Sequence, residues 1–117
     1  MKFNEVTYGD VVPVDGYGPG FFRVEGEVHE GPLALLPSGR ITWKGFDDLA
    51  PLITAAGDID VLFVGVGQDI AALPEGVREA LEAENIGVEL MATPTACRTY
   101  NVLLSEGRRI GLAVLPV

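Results

Sequence analysis

A chain of 117 residues, 48% of them hydrophobic, is long enough to bury one core, and no Ser/Gly linker or charge block divides it, so a single domain over residues 1–117 is expected. Eight basic residues against 17 acidic ones give a net charge of −9, which repels nucleic-acid phosphates and anionic lipid headgroups and excludes nucleic acid as the main partner. One cysteine excludes an intramolecular disulfide and any Cys-x-x-Cys pair, so the chain suits a reducing compartment, with the cytoplasm as the expected location.

Residues 1–10 show neither the apolar stretch of a signal peptide nor the Arg-rich pattern of an organelle-import segment. The next stretch, residues 15–20, is a Gly- and Pro-rich turn cluster that leads into the aromatic strand Phe21–Val24. Leu33–Leu36 and residues 40–43 read as an antiparallel pair joined by Pro37, Ser38 and Gly39. After Trp43 the period changes: Phe46, Leu49, Leu52 and Ile53 recur at helical spacing, with Asp47 or Asp48 placed to serve the first turn.

Val61–Val66 is continuous and apolar, as a strand covered on both faces must be, and it is far shorter than the ~20 residues of a membrane helix, so no direct membrane insertion is expected. Residues 74–84 form a helix opening on Pro74, and Gly87–Met91 returns as a strand. Thr93 then reads as an N-cap, Pro94 as the first helical residue and Gly107 as a left-handed stop, before the last strand, Ile110–Leu115. In that strand Ile110, Leu112 and Val114 share one face, and Gly111 with Ala113 leaves room for a helix on the other. The pattern is α/β: N-terminal antiparallel strands, then strand-helix-strand units that set Val61–Val66, residues 87–90 and Ile110–Leu115 parallel in one sheet.

In parallel sheets ligands collect beyond the carboxyl ends of the strands, where residues 65–68 and 91–93 should meet. A candidate pocket therefore comprises Gly65, Gly67, Gln68, Thr93, Thr95, Cys97, Arg98 and Asn101, with an anion at the amides of residues 95–97. A dinucleotide is disfavoured, because Ile70 stands where the fingerprint that begins at Gly65 and Gly67 needs glycine, and no cofactor is expected.

Cys97 near a helix start has some of the setting of a reactive thiolate, yet no histidine follows it. The single histidine, His29, sits among carboxylates in a polar turn and suggests no metal site. A packed, structural Cys97 is the better reading, because it shares a helical face with Tyr100 and Leu104. Asn101 lies one turn beyond Cys97, and its half-buried amide needs partners, for which the backbone of a neighbouring loop is the first choice. Arg98, Arg108 and Arg109 form the main basic cluster and have Glu106 and other surface acids to pair with, while Phe21, Phe22 and Trp43 are expected in the core.

The run Thr93, Ala96, Cys97, Arg98, Thr99, Tyr100, Asn101 with Glu106, Gly107, Arg108 and Arg109 resembles a family of small proteins of poorly defined function. That family includes a mitochondrial complex I assembly factor and an adipogenesis-associated protein. Tyr17, Gly20, Phe22, Arg23, Val24, Gly31, Pro32, Leu33, Leu36, Pro37, Trp43, Gly65 and Gly67 extend the resemblance over nearly the whole chain. Relatives commonly carry Asp-Thr before this helix, where this chain has Ala92 and Thr93. The resemblance implies a compact three-layer α/β fold with a mixed sheet, and it brings no established catalytic residues or cofactor to transfer. Two functions follow: an assembly factor that binds another protein, or a protein or enzyme that takes a small anionic or carbonyl ligand in the pocket above.

Overall fold

The computed structural model describes residues 12–117; residues 1–10, considered above for targeting signals, lie outside them. Three short strands, β1 (Gly16–Gly18), β2 (Phe21–Val24) and β3 (Glu27–Glu30), form an antiparallel sheet in that order. Glu25 and Gly26, at φ 54° and 80°, make the two-residue turn whose twist matches that of β2 and β3.

The remaining strands, β4 (Leu33–Leu36), β5 (Gly39–Ile41), β6 (Val61–Val66), β7 (Gly87–Met91) and β8 (Ile110–Leu115), form one sheet in the order β5-β4-β8-β6-β7. β6 lies between β7 and β8 and runs parallel to both, with Leu62 opposite Val88 on one side and Gly111 on the other. The parallel trio is the one expected from the helix-length connections. β4 joins β8 antiparallel and carries β5 outside it, which makes the sheet mixed.

The helices α1 (Ala50–Thr54), α2 (Val77–Glu82) and α3 (Thr93–Ser105) complete three layers. One face of the five-stranded sheet packs Leu33, Leu35, Phe63, Leu112 and Val114 against Ala96, Cys97, Tyr100 and Leu104 of α3 and against Phe22 and Val24 of the small sheet. The opposite face packs Ala34, Leu36, Leu62, Val64 and Ala113 against Leu52 of α1, Val77 and Leu81 of α2, and Trp43. Alternate residues of β4, β6 and β8 thus feed two separate cores, as the pleat dictates.

Several sequence expectations are corrected in detail. A Cβ on Gly111 would stand 2.8 Å from Leu36 Cδ2, 3.1 Å from Leu62 Cδ1 and 3.3 Å from Ile59 Cδ1, so the room on that face is filled by side chains rather than by a helix. Neither Asp47 nor Asp48 caps α1, which has no side-chain cap and begins later, with Pro51 in its first turn. The backbone of Asp48 instead accepts the Trp43 indole N–H at 3.0 Å, which allows Trp43 to turn inward beyond the end of β5 and lie edge-on to Phe46. α2 starts at Val77 rather than Pro74, because Gly76 at φ 87° is left-handed and breaks the helical path before it.

Leu112 is fully buried at the centre of β8, beneath α3. Leu112→Ala should lower unfolding free energy by about 2–5 kcal/mol, read as a fall in the denaturant midpoint with an unchanged m-value.

Candidate functional site

The carboxyl ends of β6 and β8 meet the start of α3, and Thr93 closes the junction. The N-cap is Ala92, in an extended conformation and without a side-chain acceptor, so Thr93 is the first helical residue rather than the cap. Freed from capping, its hydroxyl accepts the Gly67 N–H at 2.9 Å and donates to the Leu115 carbonyl at 2.7 Å. Its own amide donates to the Gly67 carbonyl at 2.7 Å. Thr93 is fully buried, so these bonds satisfy groups that water cannot reach.

Gly65 makes this approach possible. A Cβ there would lie 2.6 Å from Val114 Cγ1, 2.7 Å from the Thr93 hydroxyl oxygen and 2.8 Å from Thr93 Cα, closer than any real side chain tolerates. Gly67, at φ 113°, then turns the chain so that its amide and carbonyl face Thr93. The expected gap between the loop of residues 65–68 and the helix start is therefore occupied by Thr93 at Gly65. Gln68 and Thr95 are exposed.

Cys97, Arg98 and Asn101 are brought together elsewhere, along a groove of about 320 Å³ between the first half of α3 and residues 14–17. Asn101 holds that wall in place, because its amide nitrogen donates to the Val14 carbonyl at 2.8 Å and its amide oxygen accepts the Val14 N–H at 2.9 Å. The expected role for Asn101, bonding to neighbouring backbone, is the observed one. One residue earlier, the buried Tyr100 hydroxyl donates to the Val12 carbonyl at 2.8 Å. Sequence reasoning missed the segment at 12–14 as a strap across α3. Its signal was the alternation of Val12 and Val14 around Pro13, two buried side chains flanking a residue that cannot donate.

Cys97 is 4% exposed. Burial pushes its thiol from the ordinary 9.0 up to about 12, so it is neutral at physiological pH and a poor nucleophile. Arg98 is exposed on the rim. Arg109 pairs with Asp60 at 3.4 Å and donates to the Gly57 carbonyl at 3.1 Å, instead of joining Glu106. Gly107 ends α3 as expected, at φ 77°, with its N–H bonded to the Leu104 carbonyl at 3.1 Å and that of Arg108 to the Leu103 carbonyl at 3.3 Å. Among the described residues no group of three or more His, Cys, Asp or Glu side chains is placed to hold a metal ion. No helix among them is long and apolar enough to cross a membrane.

Because the folded thiol keeps its proton where the unfolded one loses it, the contribution of Cys97 to stability is complete below pH 9.0 and declines as pH rises towards about 12. The stability of wild type relative to Cys97→Ala should be flat through neutral pH and then fall by up to about 1.4 kcal/mol per pH unit. Alkylation of the folded protein at neutral pH should be slow over the same range.

An uncharacterised protein of Rhodobacter capsulatus is 51% identical over 117 residues, covering 100% of this chain and 94% of that one. Human NADH dehydrogenase [ubiquinone] 1 alpha subcomplex assembly factor 3 is 32% identical over 110 residues, and the zebrafish (Danio rerio) assembly factor 3 is 33% identical over 119. These alignments cover 88% and 96% of this chain, but only 60% of the human protein and 67% of the zebrafish one. A crystal structure of a Bartonella henselae protein, described as an outer membrane protein, superposes with a TM-score of 0.83 at 33% identity over 91% of this chain and 95% of that one. A Bordetella pertussis protein described as a Mth938-like domain superposes with a TM-score of 0.75 at 29% identity over 99% and 91%. The family of proteins of unknown function DUF498/DUF598 matches residues 14–115, and the chain belongs to that family, which takes in the complex I assembly factor.

Proposed function

We propose that this protein is a non-enzymatic assembly factor, working in the cytoplasm by binding another protein and serving respiratory or other membrane-associated complexes. The observation that carries this reading is the similarity to the human and zebrafish assembly factors across 88% and 96% of the chain. The chemistry of the α3 region supports it. The Thr93 hydroxyl is committed to Gly67 and Leu115, the Asn101 amide to Val14, and the Cys97 thiol is held neutral. Polar groups that are consumed within the fold are not free to polarise a substrate. The alternative, a small anionic or carbonyl ligand between residues 65–68 and the helix start, would have to displace Thr93 from Gly65.

With a net charge of −9, the protein should favour basic or mixed-charge partners. Pull-down of the tagged protein from its native cell, run beside a metabolite and substrate screen of the purified chain, should recover a stable protein partner and no turnover. Reproducible turnover abolished by Thr93→Ala, Cys97→Ala or Arg98→Ala, without a stable partner, would reverse the reading.

A further inference from the structure

A second hollow among the described residues lies away from α3. It is a cleft of about 500 Å³ between β3 and β5, where edges of the two sheets face each other, with Leu33 and Trp43 among its lining. Both walls end in unpaired strand. β5 pairs only with β4, and the pair Leu36 and Gly39 closes the two-residue turn between them, so by the alternation of an antiparallel ladder the N–H and C=O of Arg40 point away from β4. On β3 the same alternation, counted from the closing pair Val24 and Glu27, turns the backbone groups of Val28 and Glu30 outward. Val28 is also 53% exposed, a large apolar side chain on an open edge.

Charge distinguishes the β5 wall. Arg40 lies opposite Leu35, whose side chain belongs to the core shared with the small sheet, so the guanidinium projects on that side, into the cleft. His29 lies opposite the buried Phe22 and projects towards it from the facing layer, whereas Glu30, opposite Phe21, is on the outer face of the small sheet. In a chain with 17 acidic residues, the Arg40 guanidinium has no carboxylate partner among the described residues.

We propose that this cleft is the partner-binding site: an extended segment of a protein partner adds as a sixth strand beside β5, placing one carboxylate opposite Arg40. The proposal rests on the protein-interaction reading above. The added strand satisfies the outward N–H and C=O of Arg40, and its alternate side chains fall into the cleft. The carboxylate opposite Arg40 forms the cross-strand ion pair, and apolar residues on either side of it lie on the other face, beside the half-buried Ile41. The net charge of −9 disfavours further acids, so the segment is of mixed charge with a single carboxylate at its centre.

The test is a titration of the full chain, followed by amide chemical shifts, with the capped peptide Lys-Val-Glu-Val-Lys and with the same peptide carrying Gln or Lys at its centre. The Glu peptide should give saturable shifts at the amides of Arg40 and Thr42, with roughly fivefold weaker binding for the Gln peptide. Arg40→Glu, at an exposed position, should keep the wild-type spectrum elsewhere and reverse the preference towards the Lys-centred peptide. Equal binding of the Glu and Gln peptides, shifts confined to another surface, no saturable shift up to millimolar peptide, or the same shifts from acetate alone would each overturn the proposal. The pull-down separates the two readings. A partner captured equally by wild type and Arg40→Glu would refute the cleft while leaving the assembly function intact, and peptide docking without any recoverable partner would refute the assembly function while leaving the cleft.

Discussion

The parallel half of this fold depends on one buried hydroxyl. Two parallel strands, β6 and β8, end side by side and leave backbone groups that the sheet itself does not pair, and the helix that connects β7 to β8 begins directly above them. Thr93 answers both needs: its hydroxyl links Gly67 after β6 to Leu115 at the end of β8, and its amide ties the helix start to the same Gly67. The arrangement requires Gly65, because any Cβ would occupy the space of Thr93. It also requires that Thr93 not serve as the N-cap, a place taken by Ala92 with no side-chain acceptor of its own. With α3 anchored at this end and stopped by Gly107 at the other, Ala96, Cys97, Tyr100 and Leu104 are presented as one stripe to the sheet.

The same helix also organises the N-terminal part. Tyr100 bonds to Val12 and Asn101 to both backbone groups of Val14, so the chain enters the small sheet already held against α3. The small sheet in turn covers the core that α3 leaves open, through Phe22 and Val24. Polar side chains that looked available for ligands thus serve as links between layers. A catalytic group needs unspent hydrogen-bonding capacity or a perturbed ionisation that favours the reactive form, and the Thr93 and Asn101 side chains are instead spent within the fold. The shift at Cys97 favours the unreactive form.

The parallel trio was legible because each of its strands is a short apolar run separated by helix-length segments, and the C-terminal stop of α3 because a glycine past the last apolar turn has one common use. Asn101 was legible as a half-buried amide in need of backbone partners, though not which backbone. The start of α3 was misread by one residue: Thr followed by Pro is a good capping signal locally, but the buried groups at Gly67 and Leu115 compete for the same hydroxyl and win. The same non-local effect hid the meaning of Gly65, which reads as a turn or phosphate loop until the helix above it is placed. The cleft between β3 and β5 was not legible at all, since Arg40 and His29 come together only through the stacking of two sheets whose strands are short and carry no long-range signal.

The most direct measurement of this account is amide hydrogen exchange at Gly67 in Thr93→Val and Thr93→Ser, together with their unfolding free energies. Valine keeps the shape and removes the hydroxyl, so Gly67 should lose protection and stability should fall by about 1–3 kcal/mol. Serine keeps the hydroxyl and should keep Gly67 protected. A Thr93→Val protein as stable as wild type, with Gly67 still protected, would contradict the claim that this hydroxyl joins the ends of the parallel strands to the helix.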